Sequence, residues 1–325
     1  MIELGLVEVA VAGGIMDIEY LLFLQNNRES MGGVMDGFML FVTSLAESKA
    51  TFLLLGIIYW CVDKRAGRFM GMNVSLSCLL SQMLKGVFCV ERPWVRSEAV
   101  HPVEAAIPAA TGYSFPSGHT TRATATWGSL GFYEIKKREA GKDVRVADKL
   151  MHDSIRKIFG YLMFLFIFLM GFSRNYLGVH TPQDVAVAFT YSVAMWFVSY
   201  KLLDWVDSTK NGDVVLLIVY VAVAALWTSF IGSVTNAGAG IAYLLSLVLD
   251  RRVVHFEIPD RAWARIVVAA IGGAGFWFLI DNVSKVLSPI CGNYTGIVVS
   301  FCYMFYVMTV VPVVTTLIDV GRKYA

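Results

Sequence analysis

An all-α, polytopic transmembrane bundle of about eight to ten spans is the fold class this sequence predicts, on three observations. Hydrophobic residues make up 57% of the 325 positions and charged ones only 16%, with a mean hydropathy of +0.62; an ordinary soluble domain carries far more charge. Apolar runs of roughly 18 to 25 residues recur along the whole length, the spacing that bilayer thickness imposes on helices. Short charged loops separate the runs, and no flexible linker or internal repeat divides the chain.

Taken in order, residues 14–27 read as an amphipathic helix lying in the membrane interface. The preceding stretch holds Glu3 and Glu8 but no early basic residue, unlike the start of a cleavable signal peptide. Candidate spans follow at about 31–45, 47–62, 67–90, 117–137, 155–175, 181–205, 213–232, 236–250, 262–283 and 293–320. The first two and the eighth are short for a full crossing. The chain is expected to be one membrane domain over residues 1–325, with a helical core at about 31–205 and an appended helical section at about 206–325.

Most of the 27 basic residues fall on one side of this arrangement. They include Lys64, Arg65, Arg68, the loop from Lys136 to Lys157, Lys210, Arg251, Arg252, Arg261, Arg265, Arg322 and Lys323. Because Lys and Arg accumulate in cytoplasmic loops, that side is assigned to the cytoplasm. The loop at 91–116, the turn at 175–180 and the loop at 284–292 then lie on the opposite face. A net charge of +2 gives no basis for a nucleic-acid partner. The five cysteines form no C-x-x-C pair and read as small buried hydrophobes. Small-residue stretches at Ala237–Gly240 and Gly272–Gly275 read as close helix contacts, and Pro312 as a kink in the last span.

Three polar clusters interrupt the apolar pattern: Lys85 with Arg92-Pro93; Pro116-Ser117-Gly118-His119; and Ser173-Arg174, His180, Asp184. In the topology above all three lie at the non-cytoplasmic face, so four helix ends converge on one patch. Lys85, Arg92 and Arg174 supply three cations suited to a phosphoryl group. Ser117 reads as an N-cap whose neighbouring amides face the anion, and Gly118 lets the backbone come close. Pro182 suits a first helical turn, which places His180 just before it and Asp184 one turn on. The carboxylate then accepts from one imidazole nitrogen and leaves the other free as a nucleophile. His119, on another helix, is available to protonate the leaving oxygen and then to activate water.

These residues, in this order, resemble the type-2 phosphatidic acid phosphatase superfamily over about residues 85–184. The resemblance implies a six-helix-type phosphatase core with extra C-terminal helices, and an integral-membrane hydrolase acting without metal or other cofactor through a phosphohistidine. It implies His180 as nucleophile, Asp184 as its orienting partner and His119 as acid. Lys85, Arg92, Ser117, Gly118 and Arg174 would form the phosphate pocket. The expected substrate is a lipid-linked phosphate monoester or diphosphate, met among membrane lipids in a bacterial cytoplasmic membrane or a eukaryotic endoplasmic reticulum or plasma membrane. A soluble sugar phosphate, a lipid phosphotransferase and, from another class, an anionic-lipid transporter or flippase are the alternatives. Glu91 replaces a proline common before Arg-Pro and is positioned to pair with Arg92. Arg122, Trp94 and Tyr113 are further candidates for substrate contact. Glu47 and Lys49 are expected in a solvated turn, and His101, His152 and His255 in loops without a catalytic role.

Overall fold

The computed structural model describes residues 17–139, 153–231 and 235–324, and among these every regular element is helical. Helix α1, residues 17–30, is followed by α2 (Asp36–Ser44) and α3 (Ser48–Ile57), the last prolonged by a π turn at Ile58–Val62. Then come α4 (Lys64–Phe88) and the single turn α5 (Pro93–Arg96). Helix α6 (Gly118–Ala123) runs through a π turn at Thr124–Gly128 into α7 (Ser129–Glu139). Helices α8 (Asp153–Tyr176), α9 (Pro182–Ser208) and α10 (Gly212–Ile231) are next, then α11 (Ala237–Leu249), with its π turn to Val254. The chain closes with α12 (Ala262–Cys291), α13 (Thr295–Phe305) and α14 (Val311–Tyr324).

Five stretches of the described residues are long and apolar enough to cross a membrane. They become six if α2 and α3 are taken together as one span bent by 53°. Helix α2, nine residues and so about 13 Å long, is too short to cross by itself. Thr43 on α2 meets Arg174 and Asp36 meets the Tyr176 hydroxyl, so the whole helix sits at one end of the bundle. The expected pair of short spans is therefore a broken span or a re-entrant element. Residues 262–318 form one continuous run of helical residues, but it doubles back. The Tyr306 hydroxyl donates to the Gly272 carbonyl at 3.2 Å and the Tyr303 hydroxyl to that of Ile280 at 3.4 Å, which sets α13 antiparallel to α12. Fewer stretches qualify than the eight to ten expected, because α6–α7 carries charge at both ends and α11 is short.

Two apolar cores hold the bundle. Phe69, Phe132, Tyr133, Ile167 and Trp196 pack α4, α7, α8 and α9 together. Trp60, Met70, Tyr243, Phe276 and Met304 join α3 and α4 to the C-terminal helices. The small residues serve contact. A Cβ on Gly238 would come within 1.9 Å of the Ile297 carbonyl oxygen, and one on Gly272 within 2.8 Å of the Trp60 ring, so these backbones touch where any side chain would separate them. Ahead of Pro312, whose missing N–H removes a helical donor, the ladder shifts to a π turn at Tyr306–Val310.

Of the basic residues assigned to one face, Lys64, Arg65, Arg68 and Arg252 gather at one end, while most of the loop from Lys136 to Lys157 lies outside the described residues. Lys64 pairs with Asp250 at 2.7 Å, Arg65 with Asp204, Arg68 with Asp207 at 2.5 Å, and Arg252 with Asp213 at 3.1 Å. At the opposite end α1 packs over the loop after α5: the Arg28 guanidinium donates to the carbonyls of His101 (2.7 Å) and Tyr176 (3.2 Å), and the Gln25 amide accepts from the His101 N–H at 2.8 Å. Helix α1 thus roofs the end that holds the three polar clusters. His152 lies outside the described residues.

Candidate active site

Local rules of helix start and stop deliver the reactive side chains. Helix α8 ends at Tyr176, and Gly178 takes a left-handed φ of 73° with its α-carbon pressed toward Pro102, where a Cβ would stand 3.1 Å from the Pro102 α-carbon. Glycine tolerates that turn. Helix α9 then starts at Pro182 with a reciprocal cap: the Thr181 hydroxyl accepts from the Asp184 N–H at 3.4 Å, and the Asp184 carboxylate accepts from the Thr181 N–H at 2.9 Å. His180 is held between the two helices, its carbonyl accepting from the Asn175 amide at 2.8 Å.

The carboxylate that closes the cap also fixes the imidazole. Asp184 Oδ2 lies 3.1 Å from His180 Nδ1, and the Ser114 hydroxyl donates to the same oxygen. This orientation gives Nδ1 the proton and leaves Nε2 with its lone pair. Nε2 faces Arg92 Nη1 at 3.0 Å. His180 is 1% and Asp184 2% exposed. Burial pushes the His180 imidazole down to about 3, against the pull of the Asp184 carboxylate, so the ring is neutral in neutral solution.

Arg92 does not pair with Glu91. Its guanidinium is harnessed by carbonyls: Nε donates to Gly112 at 2.9 Å, Nη2 to Thr111 at 2.7 Å and Nη1 to Val179 at 3.0 Å, with the Trp94 ring 5.8 Å away. Lys85 closes the last turn of α4 and donates to the carbonyls of Tyr113 and Ser114. Ser117 caps α6, accepting from the Thr120 N–H at 3.4 Å, while its own N–H donates to the Asp184 carbonyl at 3.0 Å. That last bond ties α6 to α9 and leaves the amides of Gly118 and His119 facing the space ahead of the helix. A Cβ on Gly118 would meet only Arg122 Nη1, at 3.7 Å.

These groups surround a cavity of about 680 Å³. Lys85, Arg92, Gly118, His119, Arg122 and His180 line it. Ser117 and Arg174 stand behind its wall, both 0% exposed. Arg174 donates through Nη1 to the Thr43 hydroxyl at 2.5 Å, while its Nε and Nη2 have no partner among the described residues, nor has His119 Nε2. Donors buried without an acceptor cost free energy unless a ligand supplies one, so the arrangement is suited to an anion. Of the eight residues expected to act as catalytic or phosphate-binding groups, Lys85, Arg92, Gly118, His119 and His180 line the cavity, Asp184 and Ser117 are bonded to this group from behind, and Arg174 is buried on Thr43. The structure sets Trp94 against Tyr176 and Val179 in a small apolar cluster and leaves Tyr113 44% exposed; neither lines the cavity.

The structure adds residues that the motifs do not contain. Glu47 and Lys49 line the cavity instead of forming a purely solvated turn, because α2 dips into the bundle end and carries the turn with it. Gln82 and Asn236 also line it, the Asn236 N–H donating to Gln82 Oε1 at 2.8 Å. Ser114, Asn175 and Thr43 brace the reactive side chains. Of these added residues and their neighbours, only Thr181, in Thr-x-x-Asp, carries a readable signal, that of a helix-start box.

A helical bundle that brings two buried histidines, a carboxylate and several cations to one cavity is suited to phosphoryl chemistry. The PAP2 superfamily model matches residues 67–208, and this part of the chain is similar to that superfamily. Among curated relatives, an undecaprenyl-diphosphatase of Bacillus subtilis is 27% identical over 53% of this chain and 76% of its own length. A dihydrosphingosine 1-phosphate phosphatase of Schizosaccharomyces pombe is 28% identical over 54% of the chain, and lipid phosphate phosphatase delta of Arabidopsis thaliana 26% identical over 62%. The match spans 39% and 46% of those two relatives, less than half of each. No solved structure matches.

Proposed function

We propose that the chain hydrolyses a lipid-linked phosphate at the non-cytoplasmic membrane face through a phosphohistidine on His180, without a metal ion. The observation that carries this reading is the His180 imidazole, held by Asp184 at 3.1 Å on Nδ1 and presenting Nε2 to Arg92 at 3.0 Å on the wall of a cation-lined cavity. An entering phosphoryl oxygen takes the Arg92 N–H and frees the Nε2 lone pair. Nε2 then bonds to phosphorus as the bond to the leaving oxygen breaks, and His119 gives that oxygen a proton. The substrate's negative charge favours the protonated form of His119 beforehand.

In the second half, water attacks phosphorus, the P–N bond breaks, and the water's proton passes to His119. Lys85, Arg92, Arg174 and the amides at the start of α6 offset charge on the equatorial oxygens. The two Arg174 donors without a partner among the described residues gain acceptors when the anion is bound. Lipid-linked substrates fit a site placed at the bundle end, where the tail stays in the bilayer while the head enters the cavity. Residues 31–205 supply the chemistry in this reading, and the appended helices share the Trp60 core and bring Asn236 to the cavity within the same membrane domain.

The test is phosphate release from the detergent-solubilised full chain with a lipid phosphate. Wild type releases phosphate, insensitively to chelators, and His180→Ala does not. Undiminished hydrolysis by the variant removes the mechanism.

A further inference from the structure

Helix α1 is turned polar side in. Asp17, Leu21, Gln25 and Arg28 recur at helical spacing on its inner face and are at most 7% exposed, whereas Phe23 on the outer face is 63% exposed. Burying a carboxylate, an amide and a guanidinium costs free energy unless each finds partners, and the partners they find lie in the segments that present Arg92 and His180. The first segment is α5. Asp17 meets Arg96 with both carboxylate oxygens, at 3.0 and 3.2 Å, and the Arg96 N–H donates to the Arg92 carbonyl at 3.0 Å across that single turn. The carboxylate thereby holds the turn from which the Arg92 guanidinium projects. The second segment is the turn ahead of His180. Arg28 ties it to the loop after α5, donating through Nη1 to the Tyr176 carbonyl at 3.2 Å and through Nη2 to the His101 carbonyl at 2.7 Å. Gln25 steadies the same loop, accepting from the His101 N–H at 2.8 Å and donating to the Ala99 carbonyl at 3.3 Å. One position further on, the Val103 N–H donates to the Leu177 carbonyl at 3.1 Å beside the Pro102–Gly178 contact. His180 Nε2 and Arg92 Nη1, 3.0 Å apart, therefore project from two turns whose separation α1 sets from outside the cavity.

We propose that Arg28 and Asp17 are positioning residues for phosphoryl transfer, clamping the turn that presents His180 against the turn that presents Arg92. The inference rests on the phosphatase reading and extends its machinery to a helix outside the three polar clusters. Neither residue lines the cavity, so both act through the groups they hold. Transfer at phosphorus needs the nucleophile and the cation in register, and a displacement of about 1 Å lowers the rate by about 100-fold.

The test is hydrolysis of p-nitrophenyl phosphate by the full chain in detergent, a small ester whose binding owes nothing to a lipid tail. Arg28→Met lowers kcat by about tenfold to 100-fold with KM within about threefold of wild type, and Arg28→Lys, which keeps one donor, recovers part of the loss. Asp17→Asn keeps the volume, loses the ion pair and lowers kcat in the same sense. Hydrogen exchange of the amides at 94–97 and 177–180, followed by mass spectrometry, reads the clamp without turnover: both segments exchange faster in Arg28→Met while the middles of α8 and α9 keep their protection. If Arg28→Met misfolds, Asp17→Asn carries both measurements. A folded Arg28→Met protein with kcat within about twofold of wild type overturns the proposal, as does a loss that Arg28→Lys does not lessen or unchanged exchange in the two turns. Failure of wild type to hydrolyse this ester and a lipid phosphate removes the phosphatase reading, whereas unchanged exchange with hydrolysis intact removes the clamp alone.

Discussion

Replacing Asp184 by Asn removes one charge and almost no volume, and its effect is set by the three donors that Asp184 Oδ2 serves. These are His180 Nδ1 at 3.1 Å, the Thr181 N–H at 2.9 Å and the Ser114 hydroxyl. Because all three donors meet one oxygen, an amide nitrogen at that position also takes the acceptor from the Thr181 N–H, and the start of α9 loses about 1 kcal/mol. The amide nitrogen then faces His180 as a donor, Nδ1 becomes the acceptor, and the proton moves to Nε2. The nucleophilic lone pair disappears from the cavity side. The loss combines the wrong tautomer with an unstabilised imidazolium-like transition state, a fall of about 10³ to 10⁴ in kcat, or about 4 to 5.5 kcal/mol. Initial rates of phosphate release from a dispersed lipid phosphate measure it, with circular dichroism to show the helices intact. A folded Asp184→Asn protein within about tenfold of wild type would refute the assigned role of this carboxylate.

Arg174→Met should separate stability from activity. It removes a fully buried cation with two unsatisfied donors, and apolar replacements of buried charges are often neutral or stabilising by about 1 to 4 kcal/mol. The thermal midpoint in detergent should hold or rise while kcat/KM falls by about 100-fold or more; a marked drop in the midpoint would show that Arg174 is structural. Because burial holds the His180 pKa near 3, kcat/KM corrected for substrate ionisation should show no acid limb from this group near pH 6.5, and a limb there that vanishes on substituting His180 would contradict it. The folded site binds fewer protons than the unfolded chain between about pH 6.5 and pH 3, so this group makes stability rise with pH across that window, by up to about 1.4 kcal/mol per unit. Urea titrations of wild type and His180→Gln should differ in that slope. Gly238→Ala places a Cβ 1.9 Å from the Ile297 carbonyl oxygen and should destabilise the C-terminal helices by about 1 to 3 kcal/mol, seen as a lower unfolding midpoint; an unchanged midpoint would mean these helices can part freely.

The parts of the site legible in the sequence are those fixed by local rules. Pro182 and Thr181 mark a helix start, Ser117 marks another, and i to i+4 spacing puts Asp184 on the His180 ring. Hydropathy places the ends of these helices, and basic residues distinguish one end of the bundle from the other. What escapes depends on chains meeting across long separations. Ser114 reaches Asp184 from a loop 70 positions away, and Arg92 is steered by carbonyls of Thr111, Gly112 and Val179, to which side-chain identity gives no clue. Glu47 and Lys49 escape because hydropathy cannot tell a dipping helix such as α2 from a short crossing one. Asn236 comes to the cavity only through the packing of α11 beside α4.

The central claim is that a covalent bond forms between phosphorus and His180 Nε2. Acid-sparing quench of the full chain during turnover of a lipid phosphate, followed by peptide mass spectrometry, tests it directly, with rapid quenching at low temperature if the intermediate is short-lived. The expected result is a phosphoryl group on His180 that vanishes in His180→Ala and accumulates when hydrolysis of the intermediate is slowed. Turnover accompanied by no phosphorylated His180, or by phosphate on any other residue, would contradict it.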